Sequence, residues 1–197
     1  MTEREMAMDY TQQFKYSVFR IFLFYGVNTL GLMLGKGIYW VAASLVPPSN
    51  QGLKQFLISD VTGSVTAALI MVLLLGAVFR DDGKRHAAYE DMDAVLVLIT
   101  LVLMLGFYFI PAVFFNPYDT TRVMRTVYNM LYFPCRWVTE LFGADMKAAA
   151  AVGGGTVLAA QFAVYELSYN AYRKKHPNIF LPRPEDDEDD EYSDGEI

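Results

Sequence analysis

The sequence is poor in the residue types that most catalytic and metal sites need. Its 197 residues include one cysteine, Cys135, and two histidines, His86 and His176. A single cysteine forms no intramolecular disulfide, and neither histidine has a second ligand at a spacing such as H-E-x-x-H. The nucleophile motif G-x-S-x-G and a glycine-rich phosphate loop are also missing. We therefore expect no enzymatic activity, no metal and no cofactor, and no nucleic acid among the partners.

Charged residues are scarce too, at 19% of the chain, whereas hydrophobic residues make up 54%. This composition is too apolar for an ordinary soluble domain of this length. Four stretches approach or exceed the ~20 residues that a helix needs to cross the hydrocarbon core. They are residues 18–46, 58–79, 94–115 and 148–172. Backbone in lipid must pair within its own segment, and the ten-residue alternation of a barrel is absent. The sequence therefore predicts an all-α, integral membrane four-helix bundle over residues 18–175.

The two ends of the chain differ in charge. Residues 185–197 carry nine acidic groups and no basic one, and without them 16 basic residues outweigh 13 acidic ones. We expect residues 176–197 to be a disordered acidic tail that either solvates the protein or binds a basic partner. Residues 1–17 place apolar side chains at every fourth position and predict a cytoplasmic amphipathic lead-in or a plain extension of the first helix.

The basic residues also predict an orientation. With both termini in the cytoplasm, ten of the sixteen basic residues lie on the inner side of the membrane. We therefore expect an integral protein of the plasma membrane with cytoplasmic termini. Two connectors carry turn signals: residues 46–52 contain two prolines, and residues 80–93 contain Asp81-Asp82-Gly83. Both are interpreted as plain connectors, the second on the cytoplasmic side.

The connector 116–147 is longer and has a pattern of its own. Apolar side chains recur in it at helical spacing: Val123, Val127 and Leu131. Arg122 and Arg125 fall off that stripe, and Pro134 breaks it. The pattern predicts an interfacial amphipathic segment between the third and fourth spans, bent at Pro134. It either binds a ligand or only caps the bundle.

Lys36 stands inside the first apolar stretch, one helical turn before Trp40. A lysine at the bilayer centre costs about 2.5 to 3.5 kcal/mol, but near the interface its ammonium group reaches water. Lys36 is therefore either a snorkelling residue or part of a basic rim that binds a lipid phosphate. The other members of that rim would be Arg122, Arg125 and Arg136.

Three further polar residues fall within the spans: Asn28, Gln161 and Glu166. We expect Asn28 and Gln161 to donate hydrogen bonds across helices, each contributing roughly 1 kcal/mol. Glu166 either pairs with Arg20 or Arg173 or is a proton- or ion-linked carboxylate.

Small residues form candidate packing faces on three of the spans. They are Gly31 and Gly35, Gly63, and Gly153, Gly154 and Gly155. Glycines at such positions allow close approach of helix backbones. They predict packing within the bundle, or association of two copies as a homo-oligomer.

The stretches "FRIFLFYGVNTLGLML" (19–34) and "GAVFRDDGK" (76–84) resemble the first helix and the second-helix exit of the GtrA-like family of small four-helix membrane proteins. The resemblance implies four helices with both ends inside and handling of polyprenyl-phosphate-linked sugars. It implies functional roles for Gly26, Asn28 and Thr29. Helix two lacks the asparagines expected before its end.

Two functions follow from these observations. The first is a non-enzymatic scaffold or accessory subunit that contacts membrane lipids and a protein partner through its tail. The second is a GtrA-like carrier or flippase-type protein for polyprenyl-phosphate-linked sugars.

Overall fold

The computed structural model describes residues 3–88, 94–114 and 121–177, with the side chains of 3–13 and 94 left aside. Within these ranges the chain is helical and has no strand, so the predicted all-α fold is confirmed. The helices are α1 Glu3–Ser44, α2 Gln51–Ile58, α3 Asp60–Ala88, α4 Ala94–Phe114, α5 Arg122–Leu131, α6 Arg136–Phe142 and α7 Met146–Lys175. A short 3-10 turn, Phe133–Cys135, joins α5 to α6.

Four of these helices are long and apolar enough to cross a membrane: α1, α3, α4 and α7. The four predicted spans fall on these helices, and the prediction of four span-length helices is confirmed. α1 runs without a break from Glu3, so residues 3–17 belong to the same helix as the first span. The predicted acidic tail lies outside the described residues from position 178 onward.

The predicted turn at Asp81-Asp82-Gly83 is wrong, because α3 continues through it to Ala88. Tertiary contacts override the local preference of these residues for a turn. Asp82 pairs with Arg20 of α1, and a Cβ on Gly83 would lie 2.6 Å from the carbonyl oxygen of Tyr165. The absence of a side chain at Gly83 therefore allows α7 to pack directly on this turn of α3.

The connector between α1 and α3 contains the short helix α2, which the sequence did not predict. The Asn50 side chain accepts a hydrogen bond from the backbone N–H of Leu53 at 3.3 Å. Asn50 thus acts as the N-cap of α2 and satisfies one of the N–H groups that the first helical turn leaves free.

The core lies where α3 packs against both α1 and α7 while α4 packs against α7 and α1. The segment that follows α5 packs into the interior of this bundle and does not pass over its surface. Tyr132, Phe133, Pro134 and Cys135 are all buried. Residues 132–135 thus contribute to the interior of the bundle, whereas α5 itself exposes most of its side chains.

Candidate functional site

Lys36 lies towards the C-terminal end of α1, beside the buried 3-10 turn. Its side chain is exposed, and its Nζ lies 4.4 Å from the ring centroid of Phe133. This geometry is that of a cation–π contact, in which the ring face attracts the ammonium group. The aromatic side chain thus stabilises the charge of Lys36 inside a largely apolar helix.

Arg136 is held by two carboxylates at the same end of the bundle. Its Nη1 lies 2.9 Å from Oδ2 of Asp60, and its Nε lies 3.6 Å from Oε1 of Glu140. Lys36 and Asp60 also line a shared pocket of about 150 Å³. The structure therefore brings Lys36 and Arg136 into one neighbourhood, in which acidic groups balance the basic ones.

The other two residues of the predicted basic rim, Arg122 and Arg125, are exposed on α5. The N-cap of this helix is Thr121, whose hydroxyl oxygen accepts from the backbone N–H of Met124 at 3.4 Å. Along α5 only Tyr128 is buried. Arg122 and Arg125 thus stand on a helix that is joined to the bundle mainly through its C-terminal end.

Asn28 binds that C-terminal end and not another span. Its Nδ2 donates to the carbonyl oxygen of Leu131 at 3.1 Å, and the hydroxyl of Tyr108 donates to the same oxygen at 3.0 Å. The hydroxyl of Tyr132 donates to the carbonyl oxygen of Tyr108 at 2.7 Å. The last carbonyls of a helix lack partners within the helix. Here two side chains from neighbouring spans supply donors to one of them.

Gln161 is fully buried in the middle of α7. Its Nε2 donates to the carbonyl oxygen of Val157 in the same helix at 3.1 Å, and to that of Val72 in α3 at 3.5 Å. The neighbouring helix is close here, since a Cβ on Gly76 would lie 3.5 Å from Oε1 of Gln161. The side chain therefore links α7 to α3. Glu166, one turn later, is half-buried.

At the other end of the bundle, α1 and α3 are joined by an ion pair that the sequence did not predict. Arg20 Nη2 contacts Asp82 Oδ1 at 2.5 Å, and the Tyr16 hydroxyl donates to Asp82 Oδ2 at 2.9 Å. The side chains of Arg20 and Asp82 are only 13% and 7% exposed. The structure thus joins Arg20 to Asp82 and not to Glu166. Both charged residues of this pair were visible in the sequence. Because a turn was expected at Asp81-Asp82-Gly83, however, Asp82 was interpreted as part of a solvated loop.

Two further polar contacts link the spans at this end. The hydroxyls of Ser17 in α1 and Thr100 in α4 lie 2.8 Å apart and are buried. Nδ1 of His86 lies 2.8 Å from the hydroxyl of Tyr165 in α7. His86 falls within residues 80–93, which were predicted to be a connector, but it is partly buried on α3. This end of the bundle is therefore held by pairs that reach from α1 and α3 to α4 and α7.

A cleft of about 460 Å³ opens between α1 and α3 beside the Arg20–Asp82 pair. Phe19, Ala77 and Val78 line its apolar part. Asp81 and Arg85 lie at its mouth, where they form an exposed ion pair with Nε and Oδ2 3.0 Å apart. The cleft thus combines an apolar wall with two arginines and two aspartates.

The glycines differ in what surrounds them. A Cβ on Gly31 would lie 3.0 Å from the carbonyl oxygen of Ala67, and one on Gly35 would lie 2.7 Å from that of Gly63. These four positions bring the backbones of α1 and α3 into contact.

The glycines of α7 contact other parts of the chain. A Cβ on Gly153 would lie 2.8 Å from Cys135, and one on Gly154 would lie 3.0 Å from the ring of Tyr108. A Cβ on Gly155 would meet nothing within 4 Å. Gly153 and Gly154 therefore make room for the inserted 3-10 turn and for α4.

Cys135 is buried where that turn meets α7. Its Sγ lies 3.3 Å from the hydroxyl of Tyr108. Burial raises the pKa of the Cys135 thiol to about 11, although the hydrogen bond to Tyr108 acts in the opposite direction. The thiol is therefore protonated and shielded at neutral pH, which does not suit a nucleophile. The described part of the chain also contains no group of three or more His, Cys, Asp or Glu that could hold a metal ion.

Comparison of the chain with family models, with curated proteins and with solved structures finds no match.

Proposed function

We propose that this protein is a non-enzymatic, multi-pass membrane protein that acts as a scaffold or accessory subunit for partner proteins. The observation that carries this proposal is the filled interior of the bundle. Tyr108, Tyr132 and Phe133 are each no more than 1% exposed. Hydrogen bonds from Asn28 and Tyr108 to the carbonyl oxygen of Leu131 hold in place the segment that contains Tyr132 and Phe133. A packed interior suits a structural role better than passage of a polar substrate.

The polar residues of the spans support the same proposal, because Asn28, Gln161 and Arg20 each have at least one partner within the bundle. Asn28 donates to Leu131, Gln161 to Val157, and Arg20 pairs with Asp82. Polar groups within a membrane are costly unless paired, and pairs of this kind also stabilise helix association. They do not require a transported ligand to explain them.

We place both termini in the cytoplasm and the protein in the plasma membrane. Basic residues support this orientation. Contacts of α1 with α3 and of α3 with α7 gather them at one end: Lys15, Arg20, Arg80, Lys84, Arg85, Arg173, Lys174 and Lys175. An excess of lysine and arginine is typical of cytoplasmic ends. The acidic residues 185–197 would then face the cytoplasm and bind a basic surface of a partner.

We further propose that α5 lies in the outer membrane interface, as the sequence predicted. Val123, Val127 and Met130 are at least half exposed, although they are apolar. Arg122 and Arg125 are exposed on the same helix. An amphipathic helix of this kind buries its apolar side chains among lipid and keeps its charges near headgroups.

A GtrA-like carrier of lipid-linked sugars is the second candidate, and the pocket at the outer end favours it. Lys36, Tyr39 and Trp40 of α1 line this pocket of about 150 Å³. A lysine beside aromatic side chains at this level suits a lipid phosphate. Asp60 in the same pocket weakens that attraction, because it adds a carboxylate.

One experiment separates the two candidates. The protein is extracted in native-membrane nanodiscs, and the co-purified proteins and lipids are identified by mass spectrometry. The variants are Lys36→Gln, Arg122→Gln and deletion of residues 185–197. Lys54→Gln is the matched control, because Lys54 is exposed on α2 and does not line the outer pocket.

A scaffold predicts a reproducible protein partner that is lost on tail deletion and kept in the Lys36→Gln and Arg122→Gln variants. A stoichiometric polyprenyl phosphate that is lost in Lys36→Gln but kept in Lys54→Gln would overturn the scaffold and establish the carrier.

A further inference from the structure

The cleft at the inner end between α1 and α3 has no part in the scaffold role described above. Its floor is the buried Arg20–Asp82 pair, and its mouth is the exposed Asp81–Arg85 pair. At the outer end the same two helices are in backbone contact through Gly35 and Gly63. At the inner end, in contrast, side chains and the cleft lie between them.

The floor of the cleft presents a guanidinium group. Both carboxylate oxygens of Asp82 are occupied, one by Arg20 and the other by Tyr16. The Arg20 side chain lines the cleft and is 13% exposed. Hydrogen bonds between a guanidinium group and an anionic oxygen are stronger than those between neutral groups. An anionic oxygen in the cleft would therefore be attracted to Arg20.

The mouth of the cleft offers the complementary charge. The Asp81 side chain is 58% exposed, and its carboxylate lies beside Arg85. Two arginines and two aspartates make the cleft neutral overall. A purely anionic ligand or a purely cationic ligand would therefore leave a charge unbalanced, whereas a ligand with one charge of each sign would not.

In a membrane crossed by α1 and α3, the cleft would lie near the level where lipid headgroups meet acyl chains. Phe19 and Val78 line its apolar side. One turn further towards the bilayer centre, Phe22 and Leu74 are exposed by 72% and 40%. An acyl chain along Phe22 and Leu74 would thus lead directly to a headgroup at Arg20. The volume of about 460 Å³ falls within the range of small-ligand pockets, about 300 to 1,000 Å³.

The same geometry distinguishes a primary ammonium from a choline group. A primary ammonium donates hydrogen bonds to a carboxylate such as Asp81, whereas a quaternary ammonium donates none. Choline is usually bound by the faces of aromatic rings. Here the guanidinium of Arg20 already lies over the rings of Tyr16 and Phe19, at 4.9 Å and 5.6 Å from their centroids.

We propose that this cleft binds the headgroup of a membrane phospholipid that carries a phosphate and a primary ammonium. The phosphate lies against the guanidinium group of Arg20 at the floor, and the ammonium donates to Asp81 at the mouth. Arg85 stands beside both groups and adds to the attraction for the phosphate.

The test is native mass spectrometry of the full-length protein with an equimolar mixture of dioleoyl phosphatidylethanolamine, phosphatidylcholine and phosphatidylglycerol. We expect the ethanolamine lipid to be retained about fivefold over each of the others, which corresponds to ~1 kcal/mol. Asp81→Asn should abolish the preference over phosphatidylcholine, and Arg85→Gln should weaken retention of the ethanolamine lipid.

Both substitutions are on exposed side chains, so the fold is expected to persist, and thermal unfolding in detergent checks it. Arg80→Gln is the matched control, because Arg80 is exposed on α3 and does not line the cleft. Equal retention of the three lipids would overturn the proposal. So would preferential retention of phosphatidylglycerol, or an ethanolamine preference that survives Asp81→Asn.

Discussion

The contact between α1 and α3 gives a sharp test of the fold, because α1 contains two nearby glycines in opposite environments. A Cβ on Gly35 would lie 2.7 Å from the carbonyl oxygen of Gly63, where ordinary contact needs at least 3.4 Å. A Cβ on Gly37 would meet nothing within 4 Å. Alanine at position 35 must therefore push the two backbones apart by about 0.7 Å, since neither atom belongs to a flexible side chain.

The magnitude follows from the difference between the two substitutions. Replacing glycine by alanine inside a helix stabilises it by about 1 kcal/mol, and this gain applies to Gly35→Ala and Gly37→Ala alike. Overpacking a close contact costs about 1–3 kcal/mol, and this cost applies only at position 35. Gly35→Ala should therefore be about 1–3 kcal/mol less stable than Gly37→Ala. For a chain of this length that difference lowers the unfolding midpoint by about 2–12 °C.

The chain carries its own reporter for this measurement. Cys135 is its one cysteine and is 2% exposed, so a thiol-reactive fluorogenic maleimide reads unfolding directly. The two variants are purified in the same detergent, and the midpoints of their fluorescence transitions are compared. If Gly35→Ala melts at the same temperature as Gly37→Ala or above it, the close contact between α1 and α3 is not present and the reasoning fails.

Three further predictions concern the ends and the centre of the bundle. The thiol of Cys135, with its pKa raised to about 11, should react with maleimide at pH 7 only after denaturation, and fast labelling of the native protein would contradict its burial. Arg20→Gln and Asp82→Asn should each destabilise the protein by about 3–5 kcal/mol, because each leaves one buried charge unpaired, and the double variant should cost less than their sum. A thermal-melt double-mutant cycle checks this, and strict additivity would contradict it. Tyr132→Phe removes the hydrogen bond to the carbonyl of Tyr108 and should destabilise by about 0.5–1.5 kcal/mol in the same assay, an effect that a freely solvated hydroxyl would not show.

The sequence was sufficient for the class of fold because four apolar stretches of span length leave few alternatives to helices. It failed near the C-terminal end of α3, where Asp81-Asp82-Gly83 has the composition of a turn. The helix persists there because Asp82 finds Arg20 of α1 and Gly83 admits α7. Both partners are distant in sequence, so local preference alone could not identify them.

The same distinction between local sequence signals and contacts distant in sequence applies to the candidate sites. Lys36 was identified as a candidate because a lysine in an apolar run is unusual at any position. Its contact with Phe133 could not be predicted from the spacing of residues in the sequence. Arg20 stood at the edge of an apolar run, where arginine is common and needs no partner to explain it. Its role in an ion pair depends on the continuation of α3 through Asp82, which brings that carboxylate beside Arg20. The cleft beside Arg20 was therefore missed together with the end of α3 that forms part of it.

The burial of residues 132–135 depends on hydrogen-bond donors in α1 and α4. The sequence contains these donors but does not show which acceptor they bind. A helix that ends against the bundle leaves carbonyls without partners, and Pro134 has no N–H to offer them. Asn28 and Tyr108 are donors placed in apolar spans, where each needs an acceptor. The Leu131 carbonyl accepts from both, so the broken helix and the two polar side chains satisfy one another. Such a sequence combines a proline-interrupted amphipathic segment with spans that contain unmatched donors. The segment is therefore better interpreted as one that inserts its end into the bundle than as one confined to the surface.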